Sequence, residues 1–343
     1  MNKVTHISKR KSDHIRVNLN EDVISGLTNG LEDYFFVHEA LPEINYSDIN
    51  TTVTIFGKSL GIPLLISSMT GGTEQAKLIN RNLAIGAEEM KIAMGIGSQR
   101  AALEDAALVD SYKVRNVAPK TILFANLGAI QLNYGASVDD CVRLVDMIEA
   151  DGLIFHLNPL QEAIQKNGNT NFRGIAKKIE IVCKKTNIPV IVKEVGWGIS
   201  KRTAKILVDC GVSAIDVAGA GGTSWSQVEM HVAQDRARKD LASVFYNWGI
   251  TTADSILNVK EISPSMVIIA SGGLKNGMDF AKCFGLGAKM AGAASLFLKA
   301  ATLGVDPVIE IIKLIQDQIK AIMFSTASLK INDLEGKLFS NIE

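Results

Sequence analysis

The sequence has no surplus of either charge: across 343 residues, 36 Lys and Arg stand against 36 Asp and Glu. A dedicated nucleic-acid binder would show a basic excess, so none is expected, and anionic ligands must be met by local groups. Cysteine is scarce. Cys141, Cys183, Cys210 and Cys283 are spaced like neither a metal motif nor a disulfide framework. They read as buried free thiols of a reducing cytoplasm. No apolar signal core opens the sequence, and the apolar run 287–304 is broken by Lys289 and Lys299, so no membrane span is expected. HExxH, GxSxG, CxxC and P-loop motifs are all missing, which sets aside the common metallohydrolase, serine hydrolase and NTPase readings. Low-complexity tracts and Pro-rich linkers are missing too. The expectation is a soluble cytoplasmic protein that engages neither membrane nor nucleic acid.

What is present is a large apolar stock, 47% of residues. It is arranged in eight short runs: Pro63–Met69, Lys91–Gly97, Thr121–Gly128, Gly152–Asn158, Pro189–Gly196, Ala214–Gly219, Met266–Gly273 and Lys289–Phe297. Near-continuous apolar runs suit parallel strands covered on both faces. Helical segments lie between them. Gly174–Thr186 puts Ile175, Ile179 and Val182 on one face, and Thr203–Cys210 and Asp279–Gly287 read as further helices. Alternation repeated eight times predicts a single α/β domain over 1–343, a (β/α)8 TIM barrel, rather than an open sheet. Residues 1–60 form an N-terminal extension. Residues 220–265 form an insertion between strands six and seven, helical over Gln227–Ala242. Residues 305–343 give a closing helix and tail, with Val308, Ile312, Ile315, Ile319 and Ile322 on one stripe.

Barrel active sites lie at the C-terminal ends of the strands. Nearly every run here ends in polar residues and glycine: Ser67-Ser68-Met69-Thr70-Gly71-Gly72, Gly97-Ser98-Gln99-Arg100, Ala125-Asn126-Leu127-Gly128, Lys193-Glu194 and Gly221-Gly222-Thr223. Glycine lets backbone N–H groups approach a ligand, and successive N–H groups bind anions. Ser271-Gly272-Gly273 and Ala293-Ala294-Ser295 fit the barrel phosphate site after strands seven and eight. Taken singly, each feature has a plainer reading. Gly-Gly is often only a turn, Lys9-Arg10-Lys11 a solvated basic tail, and His156 a satisfied core histidine. The helix with His231 reads as a solvated face. Lys193 is harder to dismiss, because a lysine in an apolar strand is costly to bury without an anion. By strand periodicity Lys193 and Glu194 point to opposite faces.

Together these motifs, with the run His156-Leu157-Asn158-Pro159-Leu160-Gln161-Glu162 and Arg10-Lys11 followed by His14, resemble the type 2 isopentenyl diphosphate isomerases. The resemblance runs from about residue 8 to 325. It implies an FMN-dependent barrel, with Mg2+ and with NADPH as reductant, assembled as a homo-oligomer (tetramer or octamer). It implies flavin contacts from Ser68, Met69, Thr70, Ser98, Asn126, Lys193 and Thr223. The FMN phosphate would lie against Gly273, Leu274, Lys275, Ala294 and Ser295. The substrate diphosphate would meet Arg10, Lys11, Ser98, Gln99 and Arg100. Gln161 would face the isoprenyl carbons and His156 would lie near the substrate, both positioning it, and Glu162 would bind Mg2+. Trp197 and Trp225-Ser226-Gln227 inherit no role. Few titrating groups are then left at the mouth, which points to reduced flavin as the acid–base centre. The nearest alternative is an FMN-dependent oxidoreductase, of the 2-hydroxy acid oxidase or dihydroorotate dehydrogenase kind. A further alternative is a non-catalytic flavin-binding scaffold.

Overall fold

The structure, a computed structural model, describes residues 6–340. Eight parallel strands close into a barrel. They are β1 (Leu64–Ile66), β2 (Ala93–Gly95), β3 (Leu123–Gly128), β4 (Gly152–Leu157), β5 (Val190–Glu194), β6 (Ala214–Asp216), β7 (Val267–Ser271) and β8 (Met290–Ala293). Each lies within one of the eight predicted runs. The strands are buried because helices cover the outside and side chains fill the inside. Phe124 and Phe155, one residue of each face, are both fully buried. The helices Ile175–Lys185, Lys201–Asp209 and Gly277–Gly285 fall where the periodicity places them, with starts shifted by a residue or two.

Register decides which side chains share a layer. Gly128 pairs with His156, His156 with Lys193, and Lys193 with Asp216. These residues therefore point to one side of the sheet, toward the barrel's C-terminal mouth.

The N-terminal extension reaches both ends of the barrel. Helix His6–Asn20 lies at the mouth, and a hairpin, Val53–Ile55 with Lys58–Leu60, closes the opposite end. Ile55 and Leu60 join Phe124, Ile154 and Ile191 in a core cluster there. Extension and tail are also stitched together, because Tyr34–Phe36 pairs antiparallel with Leu338–Ser340. The closing helix is Val305–Ser325, with Val308, Ile312, Ile315 and Ile319 buried and Ile322 half-buried. The insertion holds two short helices, Trp225–Val232 and Arg236–Ser243, before the ordinary barrel helix Thr252–Ile262. Among the described residues, no helix is long and apolar enough to cross a membrane.

Candidate active site

A cavity of about 1140 Å³ opens at the C-terminal ends of the strands. One wall is built from glycine. The loops after β6 and β7 pack back to back, so a Cβ on Gly222 would lie 2.5 Å from the Gly273 nitrogen, and one on Gly273 2.3 Å from the Gly221 oxygen. Gly221 and Gly273 also have φ of 117° and 74°. Larger residues are excluded on both counts. Helix Ser295–Leu303 starts beside these loops with no side-chain cap, and Ala294, Ser295 and Leu296 line the cavity. Its first N–H groups and dipole favour an anion there. Nearby, the Ser67 and Ser68 hydroxyls are buried, line the cavity and have no hydrogen-bond partner. A phosphate cradle beside unpartnered hydroxyls fits a flavin mononucleotide.

Every site residue named from the sequence lines this cavity except Gln99. Gln99 is a correction. Its side chain is wholly buried, donating to the Leu144 carbonyl at 3.0 Å and accepting from the Asn126 N–H at 3.0 Å. Ser98 lines the cavity, while Gln99, beyond the end of β2 and just before the short helix Arg100–Glu104, turns into the wall, where its N–H donates to the Asn126 carbonyl at 2.9 Å and its side chain fixes the β3 backbone at Asn126. Glu194 likewise points away. One carboxylate oxygen accepts the N–H groups of Val195, Gly196 and Trp197 at 2.6, 2.7 and 2.5 Å. Burial pushes its pKa up to about 7 against the pull of those donors.

The second half of the site is a polar network. Gln161 is buried. Its oxygen accepts from Asn158 Nδ2 at 3.0 Å, and its Nε2 donates to Glu229 Oε1 at 2.9 Å. Asn158 also donates to Glu162 Oε1 at 3.0 Å. Glu162 Oε2 accepts from the Asn169 N–H at 2.6 Å and from Gln165. Glu229 also faces His14 at 3.4 Å and Arg10 at 3.7 Å. Burial acts to raise its pKa, but His14, Arg10 and Gln161 outweigh burial and hold the carboxyl below its ordinary value.

His156 Nδ1 lies 2.8 Å from the Asn126 amide oxygen, so the N–H is on Nδ1. Burial first, then Lys193 and Lys11, lower its pKa to about 4. Lys11 donates to the Ser98 carbonyl at 2.8 Å and to the Tyr112 hydroxyl at 2.5 Å. Burial, then Arg10, lowers its pKa to about 7.

Sequence reasoning missed Glu229, Tyr112 and Asp216. It took the helix bearing Glu229 for a solvated face, yet Glu229 is buried and Trp225 lines the cavity, edge-on to His14 at 5.1 Å. The partners of Glu229 lie on residues 10, 14 and 161, far away in sequence, so no local pattern announces it.

Residues 156–341 match the family model described as FMN-dependent dehydrogenase. An isopentenyl-diphosphate delta-isomerase of Rickettsia bellii (strain RML369-C) is 51% identical over 327 residues, 95% of this chain and 96% of its own. One from Nostoc sp. (strain PCC 7120) is 49% identical, over 95% and 93%. Among solved structures, a mandelate oxidase mutant with an FMN adduct shares 16% identity, with a TM-score of 0.65 over 96% of this chain and 92% of its own. A flavocytochrome b2 mutant shares 17% identity, with a TM-score of 0.68 over 95% and 82%. At such identities these two speak for the fold alone. The near-full-length relatives decide the rest: the chain belongs to the isopentenyl-diphosphate delta-isomerase family, built on the barrel of the FMN-dependent dehydrogenases.

Proposed function

We propose that the chain interconverts isopentenyl and dimethylallyl diphosphate by a 1,3-allylic proton shift, with FMN reduced by NADPH and with Mg2+. The observation that carries this reading is the pairing of two half-sites in one cavity. A glycine-walled phosphate cradle stands opposite the Asn158–Gln161–Glu229 network, with Arg10 and Lys11 beside it. An ordinary flavin oxidoreductase has no need of the second half.

Reduced FMN, when bound, supplies the acid–base centre that gives one carbon-bound proton and takes another. The protein's residues bind and orient. Gly273, Leu274, Lys275, Ala294 and Ser295 hold the flavin phosphate. Ser68, Met69, Thr70, Ser98, Asn126, Lys193 and Thr223 would hold the rest of the cofactor, and Lys193 would supply positive charge to its pyrimidine edge. Arg10, Lys11, Ser98 and Arg100 meet the diphosphate, Arg by its planar fork. Gln161, locked in one sense by Asn158 and Glu229, sets the isoprenyl carbons in place. His156 stays neutral and packs near the substrate.

Glu162 would hold Mg2+, sharing it with the substrate diphosphate. Among the described residues, no group of three or more His, Cys, Asp or Glu could hold a metal alone. That donor set suits an ion that keeps its waters and shares itself with phosphates. The four free cysteines support a cytoplasmic setting. Exposed Val244, Tyr246 and Trp248 offer apolar surface that a homo-oligomer would cover; a tetramer or octamer is what the resemblance implies.

The oxidoreductase alternative needs a proton-abstracting group such as a histidine late in the barrel. The sequence has no histidine after His231. His231 lies 3.7 Å from Glu21 and does not line the cavity. The test is direct. The FMN-loaded protein is reduced anaerobically with Mg2+ in D2O, given isopentenyl diphosphate, and followed by NMR. Deuterium in a dimethylallyl product is expected; no product and no exchange would refute the reading.

A further inference from the structure

Strand β6 carries a carboxylate that the chemistry above does not use. Asp216 has no exposed surface. It is in register with Lys193 on β5, so both side chains leave the sheet on the same face. Its Oδ1 accepts the Ser271 hydroxyl of β7 at 2.6 Å. Its Oδ2 has no hydrogen-bond partner and lies 3.8 Å from Lys193 Nζ. That distance is beyond a hydrogen bond yet inside strong Coulomb attraction where water is excluded. The ammonium donates to the Glu194 carbonyl at 2.8 Å and keeps only 11% of its side chain exposed, toward the cavity. Lys193 therefore sits between a buried carboxylate behind it and the cofactor pocket in front.

We propose that Asp216 is a positioning residue that sets how much of the Lys193 charge reaches the flavin. The proposal rests on the reading that Lys193 lies at the pyrimidine edge. A lysine buried in a strand needs an anion, and the fold supplies one of its own. Ser271 offers Asp216 a neutral hydroxyl, so among the described residues Lys193 is the ion-pair partner that balances the carboxylate's charge. Paired, the two groups present the cavity with a dipole, whose field falls off faster than that of a lone cation. Without Asp216 the full ammonium charge would act on the flavin. Charge near that edge tunes the cofactor's electronics. A bare cation would stabilise the anionic reduced flavin and weaken it as a base, a poor setting for reversible proton transfer. Asp216 moderates that charge.

The test reads the midpoint potential of bound FMN, by anaerobic photoreduction against a reference dye, in the wild type and in the Asp216→Asn, Ser271→Ala and Lys193→Met variants. Asp216→Asn is expected to move the potential positive by about tenfold in the reduction equilibrium, about 30 mV for a two-electron couple. Ser271→Ala strips the carboxylate of its hydroxyl, strengthens its hold on Lys193 and should move the potential negative. A role in folding alone would not give opposite signs. An unchanged or negative shift in Asp216→Asn, with Lys193→Met shifted negative, overturns the Asp216 proposal only. An unchanged Lys193→Met overturns the placement of Lys193 and the proposal with it. If Asp216→Asn does not fold or hold FMN, Ser271→Ala decides, and an unchanged or positive shift there overturns the proposal.

Discussion

The Gln161 amide has one sense because a carboxylate cannot donate. Glu229 Oε1 must face the Nε2 group, 2.9 Å away, which leaves the amide oxygen to Asn158. Glu229→Gln would let the amide flip and would also remove the countercharge to Arg10. We expect kcat/KM to fall about 10²-fold with FMN content unchanged; steady-state kinetics on flavin-matched samples check it, and full activity would sink the positioning role. His156 permits a signed pH prediction. Its folded pKa is about 4, against an ordinary 6.5. Between those values the unfolded chain binds more protons, so stability from this group is full above pH 6.5 and is lost as pH falls through 4. The His156→Gln protein should show a shallower decline of its urea midpoint across that window. An unaltered slope would mean that the imidazole is not held neutral by its surroundings.

At the scale of elements, the strands were legible and the mouth helices were not. Parallel strands buried on both faces announce themselves as apolar runs. Helix His6–Asn20 has no broad apolar stripe, because its inward face carries Arg10, Lys11 and His14 beside Ile15. Polar residues aimed at a ligand look like a solvated tail until the Glu229 and Tyr112 partners are in place. The same blindness covered Trp225–Val232. Gln99 went the other way: a polar residue after a strand looked functional, and its bonds to Leu144 and Asn126 hold it in the wall. The N-terminal helix yields its own prediction. Lys11, buried beside Arg10, has a pKa of about 7 and is therefore largely neutral at pH 8. A diphosphate placed there favours the charged form and raises that pKa, so binding should take up as much as about one proton at pH 8. Calorimetry of pyrophosphate binding to the FMN- and Mg2+-loaded protein, in two buffers of different ionisation enthalpy, measures this; heats that do not depend on the buffer would exclude it.

At the scale of the molecule, the barrel separates stability from chemistry. Its C-terminal end holds the cavity, while its N-terminal end is closed by the Val53–Leu60 hairpin. Asp151 is the knot there. It accepts Lys58 of the hairpin at 2.6 Å, Arg115 at 3.2 Å and the Leu123 N–H of β3 at 2.9 Å. Arg115 is 14% exposed and keeps bonds to the Ala118, Pro119, Thr121 and Glu149 carbonyls, so losing Asp151 takes away its countercharge but not its hydrogen bonds, while Lys58, 41% exposed, can turn to water. Asp151→Ala should therefore cost about 2 kcal/mol, below the 3–5 kcal/mol of a wholly buried broken pair. In a chain of this size that lowers Tm by a few degrees. The flavin-normalised kcat at a temperature where the variant is folded should match the wild type, because no cavity-lining residue touches Asp151 through these bonds. A stable variant with impaired turnover would show that the two ends of the barrel are coupled, and that the hairpin transmits order to the strand ends that carry Asn126 and His156.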